Sequence, residues 1–138
     1  MKTVTLEETP RTKISTPLRA LIVGHSHNDL KLILLELKRS GFHVEHTVVE
    51  SREEFLAAIA GNSFDVVLAD YPLPSWTGLD ALAELRRTSQ DIPFLLVAGL
   101  MEKELAVECI KQGANDYVLK DHLSRLPIAL INGLRTGL

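Results

Sequence analysis

Asp70 and Lys120 are the residues of this chain best suited to phosphoryl chemistry, and each directly follows a short apolar run. A carboxylate can form an acyl phosphate, and a lysine ammonium binds phosphate as a point charge. Structural ion pairs use the same two residue types. The pair therefore predicts either a nucleophile with its charge clamp or a plain salt bridge, and spacing alone leaves both open.

A second polar group follows the first apolar run and contains His25 and His27, with Asp29 and Asp70 as further candidate ligands. Imidazole suits zinc, nickel or copper, so these residues could bind a softer divalent metal. An ordinary solvated turn is the commoner use of such a histidine pair. The preceding Gly24 is not part of a G-x-G-x-x-G motif, which disfavours a nucleotide cofactor.

The elements that must position these residues are five short apolar runs, which alternate with longer segments of helical period. This pattern is typical of βα units around a parallel sheet. We predict strands at 20–23, 44–48, 65–69, 94–97 and 117–119. Strands so evenly apolar need helices on both faces, which predicts an α/β three-layer sandwich. Ligands of such sheets bind beyond the carboxyl ends of the strands, where Gly24, His25, Asp70, Ala98 and Lys120 would stand.

Local signals mark where helices begin and where the chain turns. Ser26 with Asp29 is spaced as a helix-start signal, and the S-x-x-E sequence at 51–54 is another. The segment 71–78 contains two prolines and is predicted to be a loop. Trp76 and Thr77 in this segment are candidates for a partner surface, although an aromatic side chain that covers a helix end is the commoner arrangement.

Length and composition indicate one globular domain of 138 residues, of which 46% are hydrophobic. Residues 1–17 are predicted to be a flexible leader or linker, and residues 18–138 the domain. The net charge of −3 argues against nucleic-acid binding, and the apolar runs are too short to cross a membrane. The single cysteine, Cys109, excludes a disulfide framework and agrees with a cytoplasmic location.

Two motifs give the chain a family resemblance. They are D-x-x-L-P-x-x-x-G at 70–78 and K-x-G-A-x-D-Y-x-x-K at 111–120, with apolar runs at 21–23 and 93–97. The chain resembles a response-regulator receiver domain from about residue 18 to about residue 136. Each motif is specific, and their joint occurrence at this separation makes a chance match improbable.

The resemblance implies the flavodoxin-like fold, a five-stranded parallel sheet in the order 2-1-3-4-5. It also implies a partner, which is a histidine kinase or a phosphotransfer protein. Asp70 matches the phosphate-accepting aspartate, Lys120 the lysine that contacts the phosphoryl group, and Tyr117 the aromatic switch. Pro72 stands where family members lend a backbone carbonyl to Mg²⁺, the cofactor that the resemblance implies.

Three positions depart from the family pattern. Gly24 and His25 occupy the positions of two acidic residues that help to hold Mg²⁺, and Ala98 replaces the Ser or Thr that bonds the phosphoryl group. Mg²⁺ is a hard cation that prefers oxygen ligands, so we expect its binding to be weak or absent and phosphorylation of Asp70 to be slow. Asp70 would instead form a neutralised cluster with Lys120 and a protonated His25.

The sequence therefore predicts an atypical receiver domain in two-component or phosphorelay signalling, with Asp70 as formal phosphoacceptor and with weakened Mg²⁺-dependent phosphorylation. It is predicted to be a regulatory module and not an enzyme. The alternative is a phosphorylation-independent pseudo-receiver that serves as a docking or dimerisation module, with a homodimer as one possible assembly. A small metal-binding or hydrolytic domain that uses His25 and Asp70 ranks last, because no oriented base activates a nucleophile.

Overall fold

The computed structural model describes residues 15–88, 90–99 and 103–136. Within these ranges the main sheet has five parallel strands: β1 (Thr16–Val23), β2 (Phe42–Val49), β3 (Val66–Ala69), β4 (Phe94–Ala98) and β5 (Asp116–Leu119). Their spatial order is β2-β1-β3-β4-β5. The predicted flavodoxin-like sheet and its strand order are confirmed.

Helices cover both faces of the sheet. They are α1 (His27–Arg39), α2 (Arg52–Gly61), α3 (Gly78–Arg87), α4 (Lys103–Lys111) and α5 (Leu126–Thr136), and a 3₁₀ helix at Lys120–Arg125 joins β5 to α5. Successive residues of a strand point to opposite faces, so Val67 joins one core with Phe55 of α2, while Leu68 joins another with Ile33 of α1. The three layers predicted from the evenly apolar strands follow from this alternation.

The predicted helix starts are present. The Ser26 hydroxyl accepts a hydrogen bond from the backbone N–H of Asp29 at the start of α1. Ser51 and Glu54 form a complete capping box at the start of α2. The Thr77–Asp80 capping box of α3 was not predicted, because the apolar pattern alone defined that helix.

The structure differs from the sequence-based expectations in two segments. β1 begins at Thr16 and pairs with Phe42 there, so its first two residues fall in the stretch assigned to the leader; residues 1–14 lie outside the described ranges. Pro72–Leu73 and Trp76–Thr77 form a short antiparallel hairpin where a loop was predicted. A positive φ of 69° at Ser75 makes this tight turn possible.

No helix among the described residues is both long enough and apolar enough to cross a membrane.

Candidate functional site

Asp70 and Lys120 meet at the carboxyl ends of the strands. Asp70 directly follows β3 and Lys120 directly follows β5, and β4 lies between these two strands in the sheet. Lys120 Nζ donates to Asp70 Oδ2 at 2.8 Å. The other carboxylate oxygen, Asp70 Oδ1, accepts the backbone N–H of Tyr71 at 2.8 Å. The predicted convergence of carboxylate and ammonium is confirmed.

Asp29 completes the site with a second carboxylate. Its Oδ2 lies 2.8 Å from Lys120 Nζ, so one ammonium is shared between two carboxylates. The sequence marked Asp29 as a helix-start residue and a weak metal candidate, but the pair with Lys120 was missed. The contact depends on how α1 is placed over the end of β5, and no local spacing reports that placement.

The charges of this cluster stabilise one another. Burial disfavours the charged form of Lys120, but its hydrogen bonds to Asp29 and Asp70 outweigh that effect and raise the pKa of Lys120 above its usual value. The hydrogen bond from Lys120 is also the main reason why the pKa of Asp29 lies below its usual value. In the structure, therefore, Asp70 and Lys120 form a salt bridge, which is one of the two arrangements that the sequence left open.

Burial disfavours the protonated form of His25 in this pocket. Its side chain is 0% exposed, and its Nδ1 lies 3.7 Å from Asp70 Oδ2, beyond hydrogen-bonding distance. Burial lowers the pKa of His25 to about 4, an effect that the nearby Asp70 carboxylate and Leu68 carbonyl only partly oppose. Burial thus argues against the protonated His25 that the sequence predicts in the cluster, because its effect on the pKa is larger than the attraction of the carboxylate.

The backbone at Gly24 and His25 has positive φ and is closely packed. Gly24 has φ +77° and His25 has φ +75°, which is unusual for a residue with a side chain. A Cβ added at Gly24 would collide with Cδ2 of Leu73. Leu73 thus fills the space beside Asp70 into which a side chain at position 24 would extend.

The remaining predicted residues line the neighbouring strands. Ala98 ends β4, is buried, and pairs in register with Leu119, the residue before Lys120. Tyr117 is half-buried and packs against the same apolar cluster that contains Ala98. Pro72 lies in the short hairpin, where it pairs with Thr77. No hydroxyl is available at position 98 to bond a phosphoryl group.

The donor set does not fit Mg²⁺ as it stands. Position 24 has no side chain, position 25 carries an imidazole, and both oxygens of Asp70 are already hydrogen-bonded. Among the residues that the structure describes, no group of three His, Cys, Asp or Glu side chains is arranged to hold a metal ion. His27, the other residue of the zinc hypothesis, is exposed.

Trp76, a candidate for a partner surface, is buried. Its Nε1 donates to the Glu50 carbonyl at 2.8 Å, and its ring packs edge-on against Phe55 with centroids 5.7 Å apart. The short hairpin folds the ring inward over α2. The partner-surface interpretation of Trp76 is therefore wrong.

Comparison with known proteins gives a consistent result. The family model described as "Response regulator receiver domain" matches residues 20–130. The chain is 34% identical over 122 residues to the uncharacterized transcriptional regulatory protein YkoG of Bacillus subtilis, which covers 84% of this chain and 53% of that protein. It is 33% identical over 84 residues to the transcriptional regulatory protein FixJ of Bradyrhizobium diazoefficiens, covering 61% of this chain and 40% of that protein. The chain thus spans about half the length of these curated relatives, or less.

Solved structures share the fold. Full-length FixJ from B. japonicum superposes with a TM-score of 0.76 and 26% identity over 88% of this chain and 60% of that one. A response regulator receiver domain protein from Clostridium thermocellum gives a TM-score of 0.73 and 25% identity over 86% of this chain and 95% of that one.

Proposed function

The chain belongs to the family of response regulator receiver domains, which act in two-component signal transduction, and from this premise we propose that Asp70 is a phosphoacceptor whose Mg²⁺-dependent phosphorylation is weak. The observation that carries the proposal is the shared ammonium. Lys120 Nζ bonds both Asp70 and Asp29, so the carboxylate that would accept a phosphoryl group is already neutralised within the chain.

Phosphotransfer to this site would begin with Asp70 Oδ2 as the attacking oxygen, since Oδ1 is bonded to the backbone of Tyr71. The donor, a phosphorylated histidine of a histidine kinase or phosphotransfer protein, would lose its phosphoryl group to that oxygen. Lys120 would turn from Oδ2 to the phosphoryl oxygens, where its charge is needed. The hydrogen bond to Asp29 opposes this movement, which supports slow transfer.

The response to phosphorylation is also proposed to be weak. Ala98 cannot offer the hydroxyl hydrogen bond that rewards the phosphorylated state, a contact worth about 1.5–3 kcal/mol when one partner is charged. Tyr117 is already packed against the apolar cluster around Ala98. We therefore expect the Tyr117 switch to couple poorly to Asp70.

The proposed setting is a cytoplasmic regulatory module without enzyme activity of its own. Its proposed partner is a histidine kinase or phosphotransfer protein, and a homodimer is one proposed assembly. Because the chain matches only about half of these relatives, any output activity that accompanies this domain is a proposal for the whole protein only.

The second candidate is a pseudo-receiver that docks partners without phosphorylation. Gly24 and His25 specifically favour it, because neither residue offers a carboxylate to hold Mg²⁺ beside Asp70. In this case the partner surface is held in one state by the packed site.

The experiment is phosphorylation by a small acyl phosphate with Mg²⁺, followed by intact mass spectrometry, with Asp70→Asn as the blank. We expect slow, substoichiometric labelling that changes little when the metal is chelated. Rapid, complete and Mg²⁺-dependent labelling would refute weakened phosphorylation. No labelling, together with an unchanged cellular output of Asp70→Asn, would favour the docking module.

A further inference from the structure

Lys120 joins the starts of two helical segments. Its ammonium bonds Asp29 in the first turn of α1, and Lys120 itself begins the 3₁₀ helix that leads into α5. α1 contacts both this 3₁₀ helix and α5. The side chains of Lys120 and Asp29 are only 20% and 27% exposed, so water and salt screen their attraction incompletely. The bond between them therefore ties α1 to the segment between β5 and α5.

This tie belongs to the face of the sheet opposite to Tyr117 and Ala98. The core under α1 and α5 contains Ile33, whereas Ala98 and the half-buried Tyr117 belong to the other core, which contains Cys109 of α4. A change at the strand ends can thus reach α1 through Lys120 without involving Tyr117.

Few apolar contacts hold the first turn of α1. His27 and Asn28 are exposed, and Leu30 packs only partly buried against the core. The buried residues of α1, Ile33 and Leu37, lie further along the helix. A turn with so little apolar packing opens locally at low cost, so a single ionic hydrogen bond affects how often it opens.

We propose that the Asp29–Lys120 bond is a latch through which α1 responds to the charge on Asp70. A phosphoryl group carries about two negative charges, so on Asp70 it would draw Lys120 away from the single charge of Asp29. The first turn of α1 would then be released, and the response would leave on the α1 and α5 face. The inference rests on the proposed function for its trigger, the phosphorylation of Asp70, and goes beyond it by naming the element that responds.

Amide hydrogen exchange followed by nuclear magnetic resonance tests the latch. The reporter is the amide of Leu30, which donates to the Ser26 carbonyl at 2.9 Å in the first turn of α1. The reference is the amide of Cys109, a buried residue of α4 on the other face of the sheet. Opening of the first turn alone should change only the reporter.

Wild type is compared with Asp29→Ala, Lys120→Met and their double variant, and Asp121→Ala, at an acid that is 81% exposed, is the charge control. We expect each single variant at the latch to speed exchange at Leu30 about twofold to fivefold, and Asp121→Ala to change nothing. The double variant should exchange no faster than the faster single variant, because both changes remove the same bond. Lys120→Met is decisive, since it leaves the favourable charge of Asp29 at the helix start in place.

Unchanged exchange at Leu30 in Lys120→Met would overturn the inference, and so would an equal increase at Cys109. A double variant that returns to the wild-type rate would also overturn it, because repulsion between Asp29 and Asp70 would then explain the opening. Lys120→Gln replaces Lys120→Met if the methionine variant does not fold.

Partial labelling of wild type with the small acyl phosphate tests the trigger. Labelled molecules should exchange the Leu30 amide at the rate of Lys120→Met and the Cys109 amide at the wild-type rate. Labelling without this change would overturn the inference and leave the proposed function intact. If wild type takes no label, the proposed phosphorylation is refuted, and the variants alone decide whether the latch exists.

Discussion

Two ionic clusters among the described residues are of opposite design. In the site cluster (Asp29, Asp70 and Lys120) one cation is shared by two anions. In the Glu84 cluster (Arg52, Glu84 and Arg87) one anion is shared by two cations, with Arg87 2.6 Å from Glu84 Oε1 and Arg52 bonded to Oε2. Both place a shielded charge at the meeting point of separate elements.

The difference lies in what surrounds the charges. In the Glu84 cluster both carboxylate oxygens are paired, and the Arg52 guanidinium also lies over the Trp76 ring, 5.5 Å from its centroid. The site cluster instead adjoins Gly24 and His25, which both have positive φ, and neither ring nitrogen of His25 has a hydrogen-bond partner among the described residues. The Glu84 cluster thus has its charges paired and a ring packed beside them. Groups with an unusual backbone or without a partner lie instead at the strand ends, where ligands of this fold class bind.

The largest predicted effect tests whether the packing beside the Glu84 cluster serves stability. Trp76→Ala should lower the free energy of unfolding by about 3–5 kcal/mol, because it removes a buried ring and leaves a cavity in its place. The ring contacts with Phe55 and Arg52 would be lost as well. Urea denaturation followed by circular dichroism measures the change. Trp76→Phe, which keeps much of the ring, should cost clearly less, and a loss below about 1 kcal/mol in Trp76→Ala would contradict this assignment.

The second prediction concerns acid stability at the site. The native pKa of His25 is about 4, against an ordinary value of 6.5 in the unfolded chain. Between these values the unfolded chain binds the proton and the native chain does not, so the stability contributed by neutral His25 is complete above pH 6.5 and is lost as the pH falls toward 4. At about 1.4 kcal/mol per pKa unit, the loss is about 3 kcal/mol.

Denaturation midpoints at a series of pH values between 7 and 4 check this dependence. His25→Asn should flatten the curve, because asparagine does not titrate and tolerates a positive φ. His27→Asn, at an exposed neighbour on α1, is the matched control and should leave the slope in place. An equal slope in wild type and His25→Asn would show that His25 is not held neutral by the fold.

The sequence predicts the fold and the central pair well, because both depend on local patterns. Alternating apolar runs define the strands, and the carboxyl ends of parallel strands share one edge, which is enough to bring Asp70 and Lys120 together. Asp29, the buried imidazole of His25 and the inward turn of Trp76 depend on how helices and a hairpin pack on the sheet. Local spacing does not report that packing, so these contacts were missed or assigned otherwise.

The third prediction tests how tightly the site is closed. Gly24 and Gly41 both have positive φ, but a Cβ at Gly41 meets no atom within 4 Å, whereas one at Gly24 collides with Leu73. Gly41→Ala should cost about 1–2 kcal/mol for backbone strain, and Gly24→Ala about 1 kcal/mol more because the end of the Leu73 side chain must shift. A double-mutant cycle with Leu73→Ala, followed by chemical denaturation, should show coupling of about 1 kcal/mol or more. Equal costs at the two glycines would mean that Leu73 does not close the site.

The smallest effect on stability separates the outer partners of the two clusters. Arg87 is 68% exposed and the Asp29 side chain 27%, so Arg87→Ala and Asp29→Asn should each cost less than about 1 kcal/mol. Only Asp29→Asn removes the negative charge of one of the two carboxylates that raise the pKa of Lys120, so that pKa should fall back toward its usual value. A nuclear magnetic resonance titration of the lysine side chains at alkaline pH measures the pKa of Lys120, and Arg87→Ala should leave that pKa unchanged.

If both variants left the pKa of Lys120 unchanged, Asp29 would be an ordinary surface partner like Arg87. A fall in Asp29→Asn alone would mean that this carboxylate sets the chemistry of Lys120 while adding little to the stability of the fold.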